Sequence, residues 1–437
     1  MHPLRTTTAL LLACFLLYPG PLPADEKTDW PQLHGPRRDG IYRGPPLTET
    51  LPAERTKPLW KINVGAGFAG PAVAGGRLAL FHRVDNMEVL DCLDAATGKA
   101  IWVSKYPATY NDRFGFDEGP RAVPTIEGGR IYTHGAAGIL SCTELESGKK
   151  IWRIDTHASF KPPESFFGTA SAPLVYGGKI FVQVGGTKKI GSSGSGSGIV
   201  AFDASNGKAL WGATSDEAGY SSPVIGKLSG KLRLICFTRT GIVILDPATG
   251  SVLFEKRWRA RIGASVNAAS PVLAGNRIYF SSSYQTGSIC LEAGSEGFRE
   301  LWSGDNIISS HYSSIIHQGG YLYGFDGRQE YGTRLRCVSL ASGKIAWNEA
   351  MPGKKSSGSG TLILAGDKLL VMADSGELII SRVSSSGYKR LSSATVLTGT
   401  VRAYPALAGG LFYARSTSEL ACLDLGKTPA ARPGPKK

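Results

Sequence analysis

Short apolar runs, alternating with polar residues and broken by glycine, recur along the whole chain. No stretch sustains the three-to-four-residue apolar spacing of an amphipathic helix, so the pattern predicts strands and excludes alternating strand–helix folds. One unit returns: Asp94-Ala-Ala-Thr-Gly98-Lys-Ala-Ile-Trp102, Glu144-Leu-Glu-Ser-Gly148-Lys-Lys-Ile-Trp152 and Asp203-Ala-Ser-Asn-Gly207-Lys-Ala-Leu-Trp211. Asp246-Pro-Ala-Thr-Gly250-Ser-Val-Leu-Phe254 and Ser339-Leu-Ala-Ser-Gly343-Lys-Ile-Ala-Trp347 continue it, and a degenerate copy ends at Trp302. Each copy reads as a strand, a turn whose glycine can take positive φ, and a second strand carrying an aromatic residue.

Upstream of each turn lies a second landmark, marked by Pro71, Pro124, Pro173, Pro223, Pro271, Ile315, Leu362 and Pro405. These eight copies are 43 to 53 residues apart. Four short strands per period of that length make a propeller blade. The predicted fold is therefore all-β, an eight-bladed β-propeller. The strand Pro58-Leu-Trp60-Lys-Ile-Asn-Val64 has no landmark of its own, and the eighth copy, ending at Asp424, lacks its last strand. The N-terminal strand is expected to complete the last blade and close the ring, which removes open sheet edges.

This divides the chain into a signal peptide (1–24), an N-terminal cap segment (25–57), the propeller (58–425) and a basic tail (426–437). Arg5, the apolar run Ala9 to Tyr18 and the small-residue site at Leu22-Pro23-Ala24 make an export signal too short to span a bilayer. The rival reading takes Leu11-Leu12-Ala13-Cys14 as a lipid-anchor box, but apolar residues continue beyond Cys14. With no other apolar stretch near twenty residues, the expectation is an exported protein of the periplasm or cell envelope with no transmembrane segment. Loss of Arg5 lowers the net charge from +14 to +13. That surplus favours an acidic envelope protein or an anionic polysaccharide, and export excludes nucleic acid. Glycine, at 56 residues, supplies the turns, and the Gly191–Gly198 run reads as a flexible hairpin loop.

Five cysteines (Cys92, Cys142, Cys290, Cys337 and Cys422) hold one repeat position, where other copies carry Ala201 and Ile244. With Cys236 they read as free core thiols, because equivalent sites in different blades lie beyond disulfide reach. Metal-ligand spacing is absent. The repeated tryptophans read as locks between blades. Residues that break the repeat are the candidate site. Just before the landmarks, where the innermost strands line the channel, stand Arg121, Ser171, Tyr220 with Ser221, Asn267, His311 with Tyr312, Ser359 and Arg402. Asp326-Gly-Arg328 adds polar residues, and Lys256-Arg-Trp258-Arg-Ala-Arg261 reads first as a solvated basic strand end, with Trp258, displaced from the position of Phe254, as the rival ligand contact. Arg121, Tyr220, Asn267, His311, Tyr312, Asp326, Arg328 and Arg402 are the expected ligand-binding set at the channel mouth. No nucleophile elbow or paired acidic motif points to an enzyme, and no catalytic or metal-binding residue is assigned.

The repeats resemble the PQQ-like β-propeller family, whose blades carry a D-x-x-T-G-K-x-x-W tail. Trp30-Pro-Gln-Leu-His-Gly-Pro-Arg-Arg-Asp-Gly40, Ala218-Gly-Tyr-Ser-Ser-Pro223, Val266-Asn-Ala-Ala-Ser-Pro271 and Tyr323-Gly-Phe-Asp-Gly-Arg-Gln-Glu330 look like an exported bacterial branch of it. Two members bracket what the resemblance implies. Quinoprotein dehydrogenases oxidise alcohols or sugars with PQQ and Ca²⁺, using adjacent cysteines, an Asp base and acidic cation ligands. The eight-bladed lipoprotein of the outer-membrane assembly machinery is a noncatalytic scaffold of this size. This sequence has no adjacent cysteines and no acid pair that can be placed, and its size and blade count fit the second better, so the expected function is noncatalytic binding or scaffolding in the envelope. A PQQ-dependent alcohol or sugar dehydrogenase is the alternative, and only there would PQQ and Ca²⁺ be cofactors.

Overall fold

A computed structural model describes residues 25–112, 114–190, 195–350 and 358–427. The expected leader with Cys14, the tail from residue 428 and residues 191–194 of the glycine-serine run lie outside the described residues. Eight separate sheets form eight blades, seven of four strands and one of five. Blades 1 to 7 span 72–107, 125–155, 174–213, 224–257, 272–304, 316–350 and 360–395. Blade 8 joins 406–424 to the strand Trp60–Asn63, which pairs antiparallel with Glu419–Asp424, Trp60 opposite Cys422. The ring is closed by its own first strand, as the repeat predicts. First strands of neighbouring blades abut around the axis. Among the described residues no helix is long and apolar enough to cross a membrane.

The tryptophans hold blade to blade. Each indole N–H donates to a backbone carbonyl of the next blade: Trp60 to Ala95 (3.1 Å), Trp102 to Leu145 (2.9 Å), Trp152 to Ala204 (3.1 Å) and Trp302 to Leu340 (2.9 Å). The turn glycine of the next blade lies flat against the same ring. A Cβ on Gly148, whose φ is +74°, would come within 2.6 Å of Trp102. In blade 4 Phe254 holds the tryptophan position, and Trp258 takes over the lock by donating to the Gly287 carbonyl (3.2 Å). It joins one apolar cluster with Phe254, Leu273 and Phe298, so an interblade contact stands where a solvated strand end or a ligand contact was expected. The six cysteines from Cys92 to Cys422 are free and buried.

These glycines separate two costs that sequence alone merges. Gly128 also has positive φ (+57°), but a Cβ there meets open space. Gly128→Ala is expected to cost only the left-handed backbone penalty, about 1 kcal/mol. Gly148→Ala adds a collision with an indole and is expected to cost at least ~2 kcal/mol more. Denaturant unfolding of the two variants measures the difference.

Residues 30–47 are bonded to the inner strands of the ring. Trp30 exchanges backbone hydrogen bonds with Val73 of blade 1 (2.7 and 2.8 Å), and the Pro31 carbonyl accepts from Ile126 of blade 2 (2.8 Å). The Arg38 guanidinium donates to the Pro223 carbonyl (2.9 Å), to the Pro173 carbonyl and to the Gln32 side chain (2.8 Å). Ile41–Tyr42 then forms a parallel strand beside Gly360–Ala365 of blade 7, and Leu47 bridges Gly426. One segment thus reaches blades 1, 2, 3, 4 and 7 and the end of blade 8.

Candidate functional site at the channel mouth

Leu33, carried by that segment, packs with Val123, Ala172 and Tyr404. Together they floor a cavity of about 470 Å³ at the mouth of the ring. Its walls are the connections that lead into the innermost strands and the neighbouring hairpin loops. The blade 1, 2 and 4 connections contribute an apolar side of Phe114, Phe116, Phe166, Phe167 and Ile262, beside Phe68 from the approach to blade 1. Blades 5 to 8 contribute a polar side of Tyr284, His311, Tyr312, Arg328, Gln329, Glu330 and Arg402.

The apolar side is organised by one buried acid. Asp112 accepts from the backbone N–H groups of Phe114 (2.9 Å), Phe116 (3.2 Å) and Asp117 (3.1 Å), and from Arg121 (3.0 Å). Arg121 also donates to the Phe167 carbonyl (3.0 Å) and the Asp117 carbonyl (2.9 Å), while its face lies 5.5 Å from the Phe167 ring. Its donors are consumed in holding two aromatic loops together. Arg121 shapes the cavity more than it offers charge to it.

The polar side is wired differently. Gln329 donates its amide to Glu330 (2.8 Å), which turns its oxygen toward His311 Nδ1 (2.8 Å). His311 must therefore carry its proton on Nδ1, and Nε2 accepts from the Tyr284 hydroxyl (2.8 Å). Burial lowers the His311 pKa, so this neutral tautomer persists. Tyr284 and Gln285 both hold φ near +60°, a strained pair that aims the Tyr284 ring at the mouth. Arg328 stacks over that ring at 4.4 Å and pairs with Glu330 at 3.2 Å.

Of the eight residues expected from sequence, the structure gathers Arg121, Tyr220, His311, Tyr312, Arg328 and Arg402 around this cavity. Asn267 and Asp326 are outside the lining. Buried Asn267 donates to the Thr238 and Trp258 carbonyls (both 2.9 Å) and accepts from Ser282 (2.7 Å). Asp326 pairs with Arg336 (2.9 Å) and accepts from the Ser309 N–H (2.7 Å). The aromatic side went unread in the sequence. Its signal was present as Phe114-Gly-Phe116 and Phe166-Phe167, aromatic pairs in connections that match no blade.

A family model described as outer membrane protein assembly factor BamB (PQQ_2) matches residues 86–349. Among solved structures, BamB from Moraxella catarrhalis superposes with a TM-score of 0.59 at 15% identity, covering 86% of this chain and 99% of that one. Quinohemoprotein alcohol dehydrogenase from Comamonas testosteroni superposes with a TM-score of 0.61 at 15% identity, covering 95% and 83%. At such identities the likeness is one of fold. The quinohemoprotein alcohol dehydrogenase ADH-IIG of Pseudomonas putida is 30% identical over 157 residues, 35% of this chain and 20% of that protein. The chain thus spans about a fifth of the length of the curated relatives it matches.

Proposed function

This chain belongs to the family described as outer membrane protein assembly factor BamB, and from that premise we propose that it is an exported, noncatalytic propeller of the cell envelope that binds a protein through the mouth of its ring. The observation that carries this reading is the rim. Phe114, Phe116 and Ile262 are 50, 54 and 52% exposed around one opening, and Tyr331, 83% exposed, lies beside the lining residue Arg328. Single exposed apolar side chains are ordinary, whereas several on one concave face mark an interaction surface. Two arginines flank this surface: Arg239, paired with Glu217, lies 4.5 Å from the Phe166 ring, and Arg328, paired with Glu330, lies 5.5 Å from that of Tyr331. An acidic, aromatic-bearing protein segment matches both features.

The dehydrogenase alternative needs a quinone seated beside a divalent cation, and the residues present do not fit that pair. Among the described residues there is no group of three or more His, Cys, Asp or Glu side chains able to hold a metal. The cavity lining carries one carboxylate, Glu330, already engaged by Gln329 and Arg328. Hard cations take six or more oxygen ligands, several of them carboxylates.

The test immobilises the protein and challenges it with envelope extract. Wild type is expected to retain a defined protein that a Phe114→Ser, Phe116→Ser double variant of equal melting temperature loses at least tenfold. Equal retention by both overturns the reading. Retention of protease-resistant polysaccharide alone reassigns the mouth to an anionic glycan. Dye reduction dependent on PQQ, Ca²⁺ and an alcohol or sugar would establish the dehydrogenase instead.

A further inference from the structure

The two sides of the cavity differ in what they leave unsatisfied. Arg121 has its donors occupied, and Arg328 is paired with Glu330. Arg402 differs: it stands between Phe68 (5.6 Å) and Phe116 (5.5 Å), with no ion pair or hydrogen bond among the described residues. Its Nε is buried without an acceptor, as is that of Arg328 beside its ion pair, and the Tyr312 hydroxyl has no well-aligned partner beyond a loose contact with Ser359. Arg402 and Tyr312 both line the cavity. A buried donor without an acceptor costs about 1–3 kcal/mol, which a ligand oxygen placed against this wall would recover. The neighbouring acid, Asp374, accepts from the Ser359 N–H (3.1 Å) and lies within electrostatic reach of Arg402 without an ion pair to it.

We infer that the cavity binds an apolar small molecule ending in a single carboxylate, whose oxygens accept from Arg402 and Tyr312 while its body lies against Phe68, Phe114, Phe116 and Phe167. A volume near 470 Å³ lies within the range of small-molecule sites. One guanidinium and one hydroxyl match the acceptors of one carboxylate. A phosphate dianion would bring a second charge toward Asp374 and Glu330, and the other lining cations, Arg121 and Arg328, are already paired with Asp112 and Glu330. A sugar would leave its hydroxyls facing phenylalanines. This site goes beyond the protein-docking reading and stands without it.

Calorimetry on the full-length exported protein tests it with octanoate and 3-phenylpropionate against octanol, octylamine and 3-phenylpropanol. Each carboxylate is expected to bind at least tenfold more tightly than its alcohol or amine. Arg402→Gln and Tyr312→Phe are each expected to lose at least fivefold in octanoate affinity and stay within twofold for octanol. Arg402→Lys should recover part of the loss. Retained octanol binding shows that a variant is folded, and the wild-type preference needs no variant at all. Absence of binding by both carboxylates overturns the inference. So does equal binding of acid and alcohol, or a preference that survives both Arg402→Gln and Tyr312→Phe.

Discussion

Trp30→Ala is expected to destabilise the protein by about 3–5 kcal/mol, the range for deleting a large buried aromatic. The ring is buried, and the same residue exchanges two backbone hydrogen bonds with Val73. It joins a cluster with Tyr42, Leu47, Val73 and Leu407, which draws on the inserted segment and on blades 1 and 8. Gly35 lies so close that a Cβ there would reach within 2.9 Å of the indole, so little can move in to fill the cavity left behind. Arg38→Met tests the other end of the segment. Arg38 is half-buried, with a guanidinium so crowded that burial lowers its pKa to about 9. Removing it strands the Pro173 and Pro223 carbonyls, at a cost of about 2–3 kcal/mol. Denaturant unfolding of both variants measures these losses. Stability within 1 kcal/mol of wild type in both would show that the segment is accessory to the ring.

Mild acid is expected to weaken the fold strongly. His34 and His134 are buried, and burial lowers their pKa values to about 4 and about 3. An unfolded histidine titrates near 6.5. Between those values the unfolded chain binds more protons than the folded one, so stability rises with pH there. It is fully retained above 6.5 and lost as the pH falls toward 4, each histidine contributing about 1.4 kcal/mol per pH unit. His157, His311 and His317 shift in the same direction. Glu88, Asp326 and Asp374 are raised by burial and hold protons in the fold, which offsets part of the loss at the acid end. Unfolding free energies from urea titrations between pH 7.5 and 4.5 are expected to drop by several kcal/mol in total. His134 has both ring nitrogens unpartnered, so His134→Leu should leave stability at pH 7.5 little changed and flatten the slope by about one proton. An unaltered slope would show that other groups control the acid response.

The ring was legible because a propeller writes its geometry once per blade. The tryptophan and the turn glycine touch each other across neighbouring blades, so their recurrence in sequence records a contact in space. Blade 4 shows the limit of that rule, since Trp258 performs the lock four residues away from Phe254. The site was half legible. Arg402, His311 and Tyr312 stand beside the landmarks and inherit their place at the mouth. Phe114 and Phe116 sit in a connection that obeys no repeat and is folded by Asp112, whose four acceptor contacts no spacing rule encodes. Asn267 failed as a site residue for a related reason: side-chain direction decides between cavity and core, and a buried asparagine must satisfy its own polar atoms first.

The pairing of Trp60–Asn63 with Glu419–Asp424 also fixes the order in which the molecule can be assembled. During synthesis blades 1 to 7 can form as they emerge, while their first strand and the inserted segment wait for partners some 300 residues away. Until the last twenty residues arrive, the chain is an open arc with an exposed strand at one end, the state most prone to adhere to other chains. A chain cut short before Glu419 is therefore a different hazard from a weakened point variant. It has lost the clasp that makes eight sheets one cooperative body, and it offers its unpaired edge to whatever is nearby.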